Sequence, residues 1–219
     1  MYVSKVFIMV RKTKEEALET RQRILDTAEC IFHHKGVAHT SLHDIAEAAG
    51  VTRGAIYWHF KNKTDMIDAM LQQVVLPMEE AFRVQVEDTQ LDPIEQLRSC
   101  NAIALRSLRD DERIRRIVEI LFFKCEYVDE TADMQRRHIS SRALSLTRIE
   151  KWMSSAMEAG LLPAGIDPAK QAVSLHALTD GVLLNWLLVR DSFDLVEVGT
   201  QMTDVYLRGL GWRPAHSSL

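Results

Sequence analysis

The sequence is short of the residues that build special chemistry. Three cysteines, Cys30, Cys100 and Cys125, lie far apart in 219 residues. That number is too small and odd for a disulfide framework, and it points to a reducing cytoplasm. Aromatic residues make up only 7% of the chain. No apolar run reaches the ~18 residues of a membrane span, so no membrane partner is expected. The opening "MYVSKVFI" is too short for a secretory signal, and Met9 offers an alternative start. There is no Gly-rich phosphate loop, no G-x-S-x-G elbow and no H-E-x-x-H, so an enzyme is not expected. Cys30, His33, His34, His39 and His43 cluster in sequence, but their spacing matches no zinc pattern. Neither a metal nor a cofactor is expected.

What the chain does contain is nearly continuous helical periodicity. Apolar residues are 47% and charged residues 26%, the range of a globular protein. No stretch alternates at strand period. A first helix is expected over about 14–35, with Leu18, Ile24, Leu25, Ala28, Ile31 and Phe32 as its apolar stripe and Gly36 as its stop. A second, at 42–49, starts at Ser41 with Asp44 three residues on, the spacing of a capping box. Gly50 ends it, and Thr52 starts a third helix of about seven residues. A fourth begins at Asn62 or Lys63, and Pro77 is expected to kink or end it. Further helices are expected near 93–109, 111–127, 132–159, 168–190 and 194–210. The expected fold is therefore all-α with about nine helices. The expected divisions are 1–10, a disordered or mis-called extension, 11–64, a compact helical head with two short helices at about 41–60, 65–212, a helical body, and 213–219, a tail.

The charge is divided unevenly. Residues 9–63 hold 9 Lys/Arg against 7 Asp/Glu, and residues 64–219 hold 17 against 24. A mildly basic head on an acidic body suits a polyanionic partner. Within "SLHDIAEAAGVTRGAIYWHF" (41–60), two short helices joined at a glycine form a helix-turn-helix pattern. The second helix is sized for the major groove, with its N-terminal residues at the base edges. Arg53 can bond two acceptors on guanine. Gly54 and Ala55 keep that face low. Thr52 and the helix N-terminus suit a phosphate. Tyr57, His59 and Lys63 can reach phosphates that position the head. Ile56 and Phe60 are core. Tyr57, Trp58 and His59 take three successive angular positions, so they cannot all be buried, and Trp58 fits either side.

The run "TSLHDIAEAAGVTRGAIYWHFKNKTDM" resembles the DNA-binding head of the TetR family of dimeric bacterial repressors. "VTRGAIYWHFKNK" and the leader "RKTKEEALETRQRILDTA" resemble the AcrR-type regulators that repress multidrug efflux pumps. "EILFFKCEYVDE" (119–130) and "LLPAGID" (161–167) extend the likeness into the body. The resemblance implies a double-stranded DNA operator contacted by Ser41, Thr52, Arg53, Gly54, Tyr57, Trp58, His59 and Lys63. Ala55 stands among them as part of the low face, and His43 is a weaker candidate. Arg11, Lys12 and Lys14 form a basic arm before the first helix, either solvated or touching DNA. The resemblance also implies a homodimer through the last two helices, with Leu175, Leu178, Val182, Val205 and Leu207 as members or as intrachain core.

A hydrophobic inducer in the body is implied as well. Its expected contacts are Met70, Val74, Met78, Phe82, Val118, Leu121, Phe122, Ile149, Trp152, Met153, His176, Thr179 and Asp180. Some family members carry polar residues where this chain has Val118 and Phe122, which implies a more apolar pocket. Asp180 interrupts an apolar run and is expected to anchor a cationic or hydroxylated ligand, or else to bond within the protein or across the dimer. Cys125, between Lys124 and Glu126, offers a redox-sensing alternative.

Overall fold

The computed structural model describes residues 3–82, 91–125, 132–190 and 192–214, without the side chains of 3–13, 75–79, 81–82, 132–134 and 137. The described residues form helices and no strand. In order they are α1 (Val3–Lys35), α2 (Leu42–Ala48), α3 (Arg53–His59), α4 (Lys63–Phe82), α5 (Pro93–Asp110), α6 (Glu112–Phe123), α7 (Ala132–Glu158), α8 (Pro168–Leu188) and α9 (Leu195–Gly209).

Two expectations at helix ends need correction. α1 starts at Val3, so it absorbs most of the 1–10 extension and the stretch read as a basic arm. Lys14 is an exposed residue of that helix, whereas the side chains of Arg11 and Lys12 lie outside the described residues. Of the kink or end expected at Pro77, the end is excluded, because α4 continues to Phe82.

The chain divides into two compact units, Met1–Val74 with Arg116–Met134, and Val75–Arg115 with Gln135–Leu219. The expected head of 11–64 is thus extended by the start of α4 and by most of α6. Its core is built on Ile24, Leu25, Ala28 and Phe32 of α1, Ile45 of α2, Ile56 of α3 and Met66, Ile67 and Met70 of α4, all almost fully buried. Leu18, expected on the same stripe, is 58% exposed, because the α1 core face begins a turn later. Burying a residue of this size contributes about 1.5–3 kcal/mol, so this small unit rests chiefly on its apolar face.

In the second unit, three helices begin at aspartate caps. Asp92 accepts from the amides of Ile94 and Glu95, Asp167 from Ala169 and Lys170, and Asp194 from Val196 and Glu197. Pro93 and Pro168 sit in the first turn, where the missing N–H costs nothing. Ile94, Leu97, Trp152, Met153, Leu175, Leu207 and Trp212 share one core. α5 and α9 are also tied by polar groups. Arg98 donates to both carboxylate oxygens of Asp204 at 2.7 and 2.9 Å, and Asn101 donates to Thr203 at 2.7 Å.

Gly199 lets α9 approach α5 closely. A Cβ there would collide with a methyl carbon of Leu105, which is 1% exposed and would have to change rotamer within a packed core. Gly199→Ala is expected to destabilise by about 1–3 kcal/mol through overpacking. A urea titration should show a lower midpoint at unchanged slope.

Candidate nucleic-acid interface

The α2–turn–α3 segment is held by its own caps. The amide of Asp44 donates to Ser41 Oγ at 3.1 Å, and the amide of Ser41 donates to Asp44 Oδ2 at 2.9 Å. The bond from the Ser41 amide, reinforced by its hydroxyl, holds the Asp44 carboxyl below the usual carboxylate range. At the other end, Gly50 takes φ +64 with open space around its Cβ position. Glycine is needed there for its backbone angle and not for room. The amide of Gly50 donates to Glu47 and that of Val51 to Ala46. Thr52 then caps α3, its Oγ1 accepting from the amide of Ala55 at 3.2 Å.

α3 divides sharply by exposure. Ile56 and Phe60 are 0% and 1% exposed, while Tyr57 is 55% and Trp58 73% exposed. Trp58 therefore belongs to the outer face. Its indole stands edge-on to His59, with ring centroids 4.5 Å apart. Thr52, Arg53 and Gly54 are exposed beside it, and Ala55 is half-buried. Burial, then the nearby charge of Arg21, lowers the pKa of His59 below the usual imidazole range. In the free protein this favours the neutral imidazole, which can still donate one N–H. Arg21 in turn lies over the Phe60 ring at 4.8 Å. Ser41 and His43 are exposed on α2.

Outward-facing on one short helix are thus an arginine at its N-terminus, a glycine and two large amphipathic aromatics. The helix in front is firmly capped, and the turn between them needs a glycine. Residues 24–70 match the family described as bacterial regulatory proteins, tetR family, and residues 92–212 match the MAATS-type transcriptional repressor C-terminal region. The chain is a TetR-family transcriptional regulator. It is 39% identical over 207 residues to the HTH-type transcriptional regulator TtgR of Pseudomonas putida, covering 94% of this chain and 99% of that one. Among solved structures it resembles NalD, the secondary repressor of the MexAB-OprM multidrug efflux pump in Pseudomonas aeruginosa. The TM-score is 0.81 at 36% identity, over 91% of this chain and 99% of that one. A structure of the SmeT–triclosan complex is similar too, at TM-score 0.78 and 33% identity, over 90% and 93% of the two chains. Members of this family are transcriptional regulators and not enzymes. No helix among the described residues is long and apolar enough to cross a membrane.

In the regulator, Lys63 has a structural task that the sequence did not reveal. Its Nζ donates to the carbonyl of Val37 at 2.8 Å, and the Val37 amide donates to the carbonyl of Lys124 at 2.9 Å. The α1–α2 loop is thus pinned to the start of α4 and to the end of α6. Arg116 Nε donates to Glu29 Oε1 at 2.8 Å, and His33 Nε2 lies 2.6 Å from Glu119 Oε2. Glu29 and Glu119 are only 3% and 7% exposed. None of Glu29, His33, Arg116 and Glu119 was expected to tie α6 to the head. The available signal was Glu29, which lies four residues after Leu25 and three before Phe32, inside the apolar stripe.

Two substitutions separate reading from positioning. Arg53→Ala is expected to cost about 1–3 kcal/mol in operator affinity and to relax preference at one base pair. Lys63→Ala is expected to weaken all DNA alike, to flatten the salt slope by about one, and to lower stability by roughly 1.5 kcal/mol as the Val37 carbonyl loses a charged donor. Salt-dependent binding to operator and random duplexes measures both. Equal loss for the two variants on the two DNAs would refute the division.

In the second unit, α5, α7 and α8 line a half-open cleft of about 170 Å3. Its lining includes Ile149, Trp152, His176, Thr179 and Asp180 of the expected ligand set. The sequence reading missed Leu97, Cys100, Asn101 and Ala104 of α5 and Ser145 and Arg148 of α7. The rest of the expected set lies elsewhere. Met153 is fully buried in the core. Met70 and Val74 are buried in the first unit, and Val118, Leu121 and Phe122 lie half-buried on the part of α6 belonging to that unit. None of them lines this cleft. The side chains of Met78 and Phe82 lie outside the described residues. Asp180 bonds within its own helix, its carboxylate 3.0 Å from His176 Nδ1.

The expected interface residues divide as well. Leu175 and Leu207 are 3% and 0% exposed in the single chain, so they are intrachain core and are withdrawn from the interface. Leu178 and Val205 are 41% and 64% exposed, and Val182 is half-buried. Cys125 is half-buried just beyond α6.

Proposed function

We propose that this regulator represses a multidrug efflux operon, binding a palindromic operator as a homodimer and leaving it when a small aromatic or hydrophobic compound enters the body. The exposed outer face of α3 carries the reading. Its Arg53, Tyr57 and Trp58 have the chemistry for base edges and phosphates and little reason to face water otherwise. The relatives support the finer part: NalD is described as an efflux-pump repressor, and SmeT has been solved with triclosan, a chlorinated aromatic phenol. The exposed apolar residues Leu178, Leu188 and Val205 of α8, α9 and the α8 end support pairing of two chains through those helices.

Under this reading, two copies of α3 enter successive major grooves about 34 Å apart. A ligand that favours a different spacing of the two heads lowers operator affinity by its preference for that state. Pro77, which removes one backbone hydrogen bond from α4, gives that helix a place to bend. Footprinting of the operator with and without a panel of pump substrates tests the proposal. Protection that persists with every compound at saturation would remove the induction step, and absence of any protected palindrome would remove the whole reading.

A further inference from the structure

On α1, Arg21 stands between Ala17 and Leu18 one turn before it and Ile24 and Leu25 one turn after it. No acidic residue occupies the positions three or four away, where a helix forms its local ion pairs. Across space, its guanidinium lies over the Phe60 ring, 4.8 Å from the centroid. Among the described residues, no carboxylate pairs with it. The side chain is half-buried, so part of it stays open to water.

Packing alone does not account for a charge in this place. A leucine or methionine would cover Phe60 as well, and the cation–aromatic contact adds little at a partly solvated site. Against that small gain stands a cost. The charge adds to burial in holding the His59 imidazole below its usual range. His59 in turn stands edge-on to the exposed Trp58, with ring centroids 4.5 Å apart. Arg21, His59 and Trp58 thus follow one another from α1 to the outer face of α3.

The length of α3 says what a cation at that end can meet. Its seven residues span roughly 10 Å, close to the ~12 Å width of a major groove. With Arg53 at the base edges at the start of the helix, a group just past its end meets the sugar–phosphate backbone that flanks the groove. A guanidinium suits that place, because it can bind two phosphate oxygens at once. The ring beneath it restricts its freedom before DNA arrives, which lowers the cost of binding.

We infer that Arg21 is a phosphate anchor of the DNA complex: the Phe60 ring holds its guanidinium beside the C-terminal end of α3, where it pairs with the DNA backbone. The inference rests on α3 lying in the major groove and brings α1 into the contact surface.

The test separates charge from packing. Full-length native protein, Arg21→Met and Arg21→Lys are titrated over a range of salt at about pH 8, where imidazole is neutral. The probes are a duplex selected by the native protein from a random library and an unselected duplex. Arg21→Met keeps an apolar stem over Phe60. It is expected to keep its urea midpoint, to lose about tenfold in affinity for both duplexes, and to flatten the salt slope by about one for each bound chain. Arg21→Lys is expected to retain the slope and most of the affinity. Neutral methylphosphonate linkages placed singly in the selected duplex are expected to include one that weakens the native protein but not Arg21→Met. A native salt slope in Arg21→Met overturns the anchor, as does the absence of any such linkage. Equal losses in both variants, with both urea midpoints lowered, assign Arg21 to packing and overturn it too. Arg21→Gln carries the same expectations if Arg21→Met does not fold. Arg53→Ala is the control. If it loses preference for the selected duplex while Arg21→Met binds as the native protein does, only the anchor fails. If both variants bind as the native protein does, the placement of α3 fails with it.

Discussion

Phe60→Ala is expected to destabilise the first unit by about 3–5 kcal/mol, while Trp58→Ala, two residues away, changes stability by no more than about 0.5 kcal/mol. Phe60 is 1% exposed and caps α3, its amide bonded to the carbonyl of Ile56 at 2.8 Å. Removing its ring opens a cavity in the core of the first unit, which the short helices α2 and α3 cannot close by shifting without losing their caps. The guanidinium of Arg21 also loses the ring beneath it. Trp58, at 73% exposed, leaves no cavity behind. Its loss falls on the DNA side, where a drop in operator affinity of roughly tenfold, about 1.4 kcal/mol, is expected. Denaturant titrations and gel-shift assays on the two variants separate the roles. A Trp58 variant as unstable as the Phe60 variant would mean that the outer face of α3 is part of the core.

This contrast shows where the sequence was readable and where it was not. The helix-turn-helix was legible because its signals are local. Ser41 and Asp44 at capping spacing, Gly50 at the turn and Thr52 before α3 act through neighbours within four residues, and each appears as expected. Trp58 was not legible. Three aromatic or amphipathic residues in a row show that one is outside, and only the packing of α3 tells which. The same limit explains α8. Leu175 and Leu178 are three residues apart on a helix that is apolar on more than one side. One is 3% and the other 41% exposed. Periodicity shows a residue to be apolar but does not say whether its partner is in the same chain or in another. The α5 wall of the cleft was missed for a related reason: Leu97 and Ala104 look like ordinary core residues until α7 and α8 leave a gap beside them. The head was drawn too small because its attachment to α6 is made by residues far apart in sequence. Arg116 and Glu29 are a salt-bridge pair, and His33 and Glu119 a hydrogen-bonded pair, only in three dimensions.

That attachment leads to the second large effect. Arg116→Ala is expected to cost about 3 kcal/mol, the low end for removing one partner of a buried ion pair. Glu29 is 3% exposed, so its carboxylate has little water to fall back on when the guanidinium is gone. The Arg116 side chain is 31% exposed, which moderates the loss, because water can enter part of the space it leaves. The sign reverses for the pair taken together. Glu29→Leu combined with Arg116→Leu removes the buried charge along with its partner, and the double variant is expected to recover most of the stability lost by either single change. A double-mutant cycle in urea gives the coupling, expected at about 1–3 kcal/mol for groups in direct contact. If the two residues only hold the fold together, the double variant regains operator affinity along with stability. If the pair also fixes the angle of α1 against α6, the double variant is stable yet binds operator less well than the native protein. A coupling near zero would show that the 2.8 Å bond between Arg116 and Glu29 contributes nothing to the attachment of α6 to the head.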